Sequence, residues 1–81
     1  MATFSEALEA VKAGKFIHRA GWNGANQFIA RIYAGNAAYR KGAIIADMQD
    51  CFGLKNAQGT MQPGWVPSQG DLFAEDWVIQ E

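Results

Sequence analysis

Two short segments of this 81-residue chain combine tryptophan with groups that bind small polar molecules. The first is Gly-Trp-Asn-Gly at residues 21–24, and the second covers residues 65–77. An indole can stack on a nucleobase and contribute about 1–3 kcal/mol, while amides, hydroxyls and carboxylates can pair with a base edge or with ribose hydroxyls. These residue types are typical of a binding pocket rather than of a catalytic site.

Each segment also has a purely structural interpretation. Trp22 could fold back as a lid on the core, with Asn23 and Gly24 forming a turn. Ser68, followed three residues later by Asp71, fits a capping box at the start of a short helix. A helix start attracts anions, but the Asp71 carboxylate competes for the same positive potential, so we expect sugar hydroxyls there more readily than phosphate.

Phosphate would instead call on Arg19, Arg31, Arg40 or Lys41. Arg19 and Arg31 fall on two predicted paired strands and could be preorganised, whereas Arg40 and Lys41 belong to an expected loop tip that could close over a ligand. Such charges usually lie on a solvated surface, so only convergence on a pocket would give them a function. His18 and Cys51 are the sole histidine and cysteine, and no serine has a base and an orienting acid nearby in sequence. We therefore predict no catalytic residue, no metal site and no cofactor.

Size and composition narrow the class of partner. We expect one domain over residues 1–81 with a thin core. On folding, a domain of this size buries only about 60–65% of the surface that its unfolded chain exposes. Hydrophobic residues make up 49% of the chain, and self-association would cover the surplus. A net charge of −1 argues against a polynucleotide partner. The sequence shows neither a signal peptide nor an apolar run that could span a membrane, and one cysteine suits a reducing compartment, so we expect a soluble cytoplasmic protein.

The elements that position these residues follow from periodicity and turn signals. Thr3 and Glu6 form a capping box ahead of a helix predicted from about Phe4 to Ala13. The predicted strands are, in order, Phe16–Arg19, Gln27–Tyr33, Cys51–Lys55, Thr60–Gln62 and Trp77–Ile79. A second helix is predicted before the last strand, from Ser68 to about Ala74. The fold class is α+β, with a small antiparallel sheet, an N-terminal helix and a short second helix in two layers.

Two details of this prediction concern which surfaces face solvent. In the second strand, Phe28, Ala30 and Ile32 point one way, and Ile29, Arg31 and Tyr33 point the other. If the first set packs on the helix, the second set would face a subunit or a ligand. The segment from Ala34 to Asp50 is the least readable, with Ala43–Met48 as a buried extended piece or a helical turn.

The order and spacing of three blocks are more specific than either motif alone. The blocks Phe4–Lys15, Arg19–Gly24 and Trp65–Trp77 together resemble the small phage and prophage proteins of the Thoeris anti-defence 2 family. The resemblance spans nearly the whole chain and leaves Ala34–Asp50 uncovered. Two features depart from the family pattern: Gly64 between Pro63 and Trp65, and the segment around Tyr39 to Asp50. These departures leave the choice of ligand open.

The resemblance implies a non-enzymatic sponge that binds a cyclic ADP-ribose isomer in the infected bacterial cell and keeps it from a downstream effector. It also implies a homotetramer with pockets where subunits meet, and some family members hold cyclic dinucleotides at a separate site. The residues it places in the pocket are Trp22, Asn23, Trp65, Ser68, Gln69 and Asp71, to which our interpretation of the arginines adds Arg19 and Arg31 for the pyrophosphate. Trp77 is expected to lie in the core.

Two other functions stay open at this point. A phage structural or partner-binding module would use the apolar surface for assembly alone and would bind no nucleotide. A small nucleotide hydrolase would need a base and an activated nucleophile, for which the sequence offers few candidates.

Overall fold

An antiparallel sheet with helices on one face forms the body of the computed structural model, which describes residues 1–22, 26–35 and 37–81. In chain order the elements are α1 (Phe4–Lys12), β1 (Phe16–Arg19), β2 (Phe28–Ile32), β3 (Ala37–Arg40), β4 (Ala43–Asp47), β5 (Cys51–Lys55), β6 (Met61–Pro63), α2 (Gln69–Phe73) and β7 (Trp77–Gln80). Five strands form the main sheet in the order β6-β5-β2-β1-β7, and β3 pairs with β4 in a separate two-stranded sheet. The α+β, two-layer prediction is confirmed.

The N-terminal helix α1 begins and ends as its sequence predicts. The Thr3 hydroxyl accepts the Glu6 N–H while the Glu6 carboxylate accepts the Thr3 N–H, so the capping box is complete. After the helix, Gly14 takes a φ of +93°, a conformation that glycine adopts without strain. The buried face of α1 packs on the sheet, where the core consists of Ala7, Ala10, Val11, Ile17, Ile29 and Trp77.

The register between β1 and β2 decides which face of β2 meets the helix. Ile17 pairs with Ile29, and both side chains are fully buried beneath α1. Because side chains alternate along a strand, Arg31 also lies on the helix face, where its guanidinium donates to the Lys12 carbonyl at 2.8 Å. The arrangement considered from the sequence, with the Phe28 set on the helix, therefore does not occur: Phe28 instead stacks on Phe16, at 4.3 Å between ring centroids, on the opposite face of the sheet.

The β3–β4 arm, formed by Ala37–Arg40 and Ala43–Asp47, packs mainly through contacts between its own two strands. Residues 43–48 are extended over most of their length, as one of the two predicted alternatives required. They are not buried, however, and Ile44 and Ile45 are 62% and 63% exposed. A two-stranded hairpin has no layer of its own to cover its side chains, so apolar character alone did not place this segment in the core.

The remaining predicted elements differ from the structure only at their ends. The β5–β6 hairpin turns through residues 56–59, where the Asn56 side-chain oxygen accepts the N–H groups of Gln58 and Thr60 and Gly59 has a φ of +94°. The second helix is α2, capped by Ser68 as predicted. Within the described residues, neither helix has the length and apolar character needed to cross a membrane.

Candidate ligand site

Three tryptophans from distant parts of the sequence meet at one end of the sheet. Trp77 is fully buried, and Trp22 and Trp65 flank it with ring centroids at 5.7 and 6.3 Å. Trp22 and Trp65 lie 6.4 Å apart, and all three pairs are edge-to-face, an arrangement that aromatic quadrupoles favour. Trp77 thus belongs to the core, as predicted, while the other two indoles are only partly buried.

The start of α2 is joined to this tryptophan cluster by Asp71. Trp77 donates its indole N–H to the Asp71 carbonyl at 3.0 Å, which fixes the helix against the core. The Asp71 carboxylate accepts the Ser68 N–H at 2.9 Å and a guanidinium N–H of Arg19 at 3.1 Å. Burial disfavours the charged form of this carboxylate, which is 14% exposed, but the bonds from Ser68 and Arg19 outweigh burial and hold its pKa below the usual value. Asp71 is therefore a fixed, ionised acceptor.

Arg19 lies between two carboxylates rather than facing an open anion site. Its Nε donates to Asp76 at 2.9 Å and its Nη1 to Asp71 at 3.1 Å. These two bonds, the one to Asp76 first, raise the pKa of Arg19. Two negative partners neutralise the guanidinium, so its clear role in the chain is to position Asp71.

Two recesses open on either side of Trp22. The Asp71 recess, of about 290 Å³, is lined by Trp22, Gln27, Leu54, Trp65 and Asp71. The His18 recess, of about 300 Å³, is lined by His18, Arg19, Ala20, Trp22, Asn26, Gln27, Phe28 and Gln80. Trp22 and Gln27 line both, so the recesses adjoin each other. Each alone is at the lower limit of known ligand pockets, and together they lie well within the range of such pockets.

Comparison with known proteins gives the chain a family. The sequence model of the Thoeris anti-defense 2-like domain matches residues 2–80. The chain belongs to this family. It is also similar to Thoeris anti-defense 2 of Bacillus phage SP01, with 38% identity over 85 residues, covering 95% of this chain and 92% of that protein. The resemblance inferred from three sequence blocks is confirmed, and membership supports a phage anti-defence role.

The blocks that indicated the Thoeris anti-defense 2-like family converge in the structure. The first block contains α1, the second continues from β1 to Trp22, and the third runs from Trp65 through α2 to the start of β7. The last two blocks supply all three tryptophans of the cluster. The sequence signature and the aromatic end of the sheet are therefore largely the same feature.

The structure brings together some of the predicted site residues and separates others. Trp22, Trp65 and Asp71 line one recess, and Arg19 lies beside it. The Ser68 hydroxyl is used in the helix cap, accepting the Asp71 N–H at 3.1 Å, and Gln69 is exposed on the first turn of α2. Neither lines a described recess. Asn23 lies outside the described residues.

Arg31 occupies a different site. It forms an ion pair with Asp50, donates to the Lys12 carbonyl and lies 4.4 Å from the Tyr33 ring centroid. The Ala34 N–H first, and then Arg31, lower the pKa of Asp50. The surrounding Arg31 cleft has a volume of about 460 Å³ and is lined by Leu8, Val11, Lys12, Arg31, Asp50, Cys51, Phe52, Gly64, Trp65 and Val66. Only Trp65 is common to this cleft and the Asp71 recess.

Sequence reasoning missed most of the residues around Trp22. His18, Gln27, Leu54 and Gln80 come from four different strands or their ends and have no local motif. The one available signal was the predicted pairing of the first two strands, which brings Gln27, just before β2, back beside the end of β1.

Proposed function

We propose that this Thoeris anti-defense 2-like protein binds a cyclic ADP-ribose-type signalling nucleotide in the cytoplasm of the infected bacterium and holds it intact. The signal is then withheld from the effector that it would activate. The observation that carries the proposal is the Asp71 recess, where two partly buried indoles stand beside one fixed carboxylate. Family membership supports an anti-defence role, and this recess supplies the chemistry of a nucleotide site.

The recess suits the nucleoside part of such a ligand. Trp22 and Trp65 offer aromatic surface, and the ionised Asp71 can accept hydrogen bonds from ribose hydroxyls. A bare phosphate would be repelled by the same carboxylate. Since Arg19 and Arg31 are both paired with aspartates, the pyrophosphate is expected to lie toward solvent or toward a neighbouring subunit rather than on these two guanidiniums.

The ionisation of Asp71 favours storage of the ligand over its cleavage. A carboxylate whose pKa is lowered is a weak base, and its protonated form is too scarce near neutral pH to serve as an acid. The function proposed here needs neither role. It depends on the amount of protein present and on slow release of the ligand.

Assembly into a homotetramer, as a dimer of dimers, is part of the proposal. The face of the main sheet opposite the helices carries Phe16 and Met61, which are 40% and 42% exposed, and Ile32 near Met61. The β3–β4 arm adds the exposed Ile44 and Ile45. A second copy would cover both surfaces and could complete recesses that are small within one chain.

Calorimetric titration tests the function directly. The ligands are cyclic ADP-ribose isomers and cyclic dinucleotides, and the proteins are the natural chain and Trp22→Ala, with light scattering to record the oligomer. We expect saturable binding of at least one cyclic ADP-ribose isomer by the natural chain and a loss of about 5- to 150-fold in Trp22→Ala, with the oligomer unchanged.

The fate of the ligand separates sequestration from its rivals. After binding, heat denaturation should release the nucleotide with an unchanged mass and restore its ability to activate the effector. Recovery of a cleaved product would indicate a hydrolase. Absence of any nucleotide-dependent heat or thermal shift would support a purely structural or partner-binding module.

A further inference from the structure

We propose that the His18 recess receives the nucleobase of the ligand and that Gln27 and Gln80 read its edge. This inference rests on the proposed function, because it assigns the base of the same nucleotide to a second recess. The two recesses adjoin at Trp22 and Gln27 but differ in their charged and polar groups. That difference decides which part of a nucleotide suits each one.

The charge of the His18 recess favours a neutral heterocycle. Among its described lining residues there is no carboxylate, and the one permanent cation, Arg19, is already paired with Asp71 and Asp76. A phosphate would find no available positive partner there, and a ribose would find no ionised acceptor. The aromatic rings of Trp22 and Phe28 offer surface for a planar ring. The Asp71 recess, by contrast, has the carboxylate that ribose hydroxyls require.

The hydrogen-bonding groups of this recess are partly fixed. The Gln80 side-chain nitrogen lies 2.7 Å from His18 Nδ1. An amide nitrogen can only donate, so Nδ1 accepts, and the neutral imidazole carries its proton on Nε2. The contact holds the Gln80 amide in one orientation, and in the part of the chain that the structure describes, its oxygen accepts no hydrogen bond.

Gln27 brings a side-chain amide to the junction of the two recesses. No described residue forms a hydrogen bond with that amide. A glutamine amide pairs with adenine through two parallel bonds, accepting from the N6 amino group and donating to N7. A base in the His18 recess with its ribose in the Asp71 recess would place the glycosidic bond beside Trp22 and Gln27. The order of the two recesses therefore matches the order of groups in a nucleoside.

A pair of ligands that differ only in the base edge tests this assignment. One is a cyclic ADP-ribose isomer closed through a ribose hydroxyl, which leaves the adenine edge free, and the other is its hypoxanthine analogue, in which a carbonyl replaces the amino group. We expect the natural protein to prefer the adenine ligand. Gln27→Ala and Gln80→Ala should each weaken adenine binding by about 5- to 150-fold and reduce the preference.

Two further variants make the test independent of folding. Gln27→Glu keeps the shape of a side chain that forms no hydrogen bond with a described residue, and it replaces the donor by a second acceptor. It should therefore lose affinity for the adenine ligand without loss of thermal stability. Gln58→Ala, in the exposed β5–β6 turn, is the matched control and should bind like the natural protein. Equal affinity for both ligands, unchanged in Gln27→Ala and Gln27→Glu, would overturn the base assignment while leaving the sponge intact. Absence of binding by the natural protein would instead remove the proposed function, and this inference with it.

Discussion

The chain contains the same capping motif twice, at the start of α1 and at the start of α2, with different consequences. At α1, Thr3 and Glu6 exchange their hydrogen bonds in an exposed position. At α2, Ser68 and Asp71 make the equivalent pair of bonds. Among the described residues, the Glu6 carboxylate bonds only to Thr3, whereas the Asp71 carboxylate also accepts a hydrogen bond from the guanidinium of Arg19 in β1.

The difference arises from the surroundings rather than from the motif. Thr3 lowers the pKa of Glu6, chiefly through its backbone N–H, and the bonds stay within one turn. Asp71 is 14% exposed, is bonded to Arg19 and lines a recess with Trp22 and Trp65. A cap thus becomes a candidate ligand group when long-range contacts bury it beside apolar surface and leave some of its oxygen lone pairs open.

Removing the charge from each capping box in turn should show the largest difference. Asp71→Asn should weaken cyclic ADP-ribose binding by about 10- to 150-fold, because a charge-assisted hydrogen bond to ribose is lost. It should also lower the free energy of unfolding by about 1–2 kcal/mol, since Arg19 loses one of its two ionic partners. Calorimetry and urea unfolding measure the two effects.

Glu6→Gln is the matched control for that substitution. It alters the same position of the equivalent motif, which lines neither recess, and should leave ligand affinity unchanged with only a small loss of stability. If the two variants bound the nucleotide equally well, the distinction between a cap and a ligand group would not hold.

The partner of Asp71 offers a smaller effect of the same kind. Arg19→Met removes both ion pairs while keeping much of the aliphatic stem, so we expect the melting temperature to fall by roughly 5 °C and ligand affinity by about tenfold as Asp71 loses its fixed position. Lys15→Met, which breaks the exposed pair with Glu81, should shift the melting temperature by less than about 2 °C. If Arg19→Met lost more ligand affinity than Asp71→Asn, and the additional loss depended on the phosphate groups of the ligand, the guanidinium would contact the ligand itself.

Local patterns in the sequence predicted the helices, both caps and most strands, because each depends on neighbours within a few residues. The Thr3 and Ser68 caps and the Phe16–Arg19 strand are examples. The face of β2 that meets α1 was left open by the sequence, since alternation defines two faces but the Ile17–Ile29 register decides which one meets α1.

The site was only partly predictable for the same reason. Trp22, Trp65 and Asp71 were found because they belong to motifs that the family resemblance emphasised. The ion pairs of Arg19 with Asp71 and Asp76 span more than 50 positions of sequence, and the bond of Gln80 with His18 spans 62. No local rule pairs such residues, so the neutralised arginine and the second recess became visible only with the fold.

The last comparison of the two capping boxes is their response to acid. Hydrogen bonds lower the pKa of both Glu6 and Asp71 in the folded state, against a burial penalty in the case of Asp71. A folded-state pKa below the unfolded value, which is about 4 for these groups, means that each carboxylate stabilises the fold above that pH. The stabilisation is lost as pH falls through the folded-state pKa. Urea unfolding between pH 7 and pH 2.5 measures this effect. The difference in free energy of unfolding between the natural protein and Asp71→Asn should disappear below about pH 4, and the smaller difference for Glu6→Gln should disappear over the same interval. If the difference in free energy of unfolding for Asp71→Asn stayed constant down to pH 2.5, the shape of the side chain, rather than its ion pair with Arg19, would hold α2 against the tryptophan cluster.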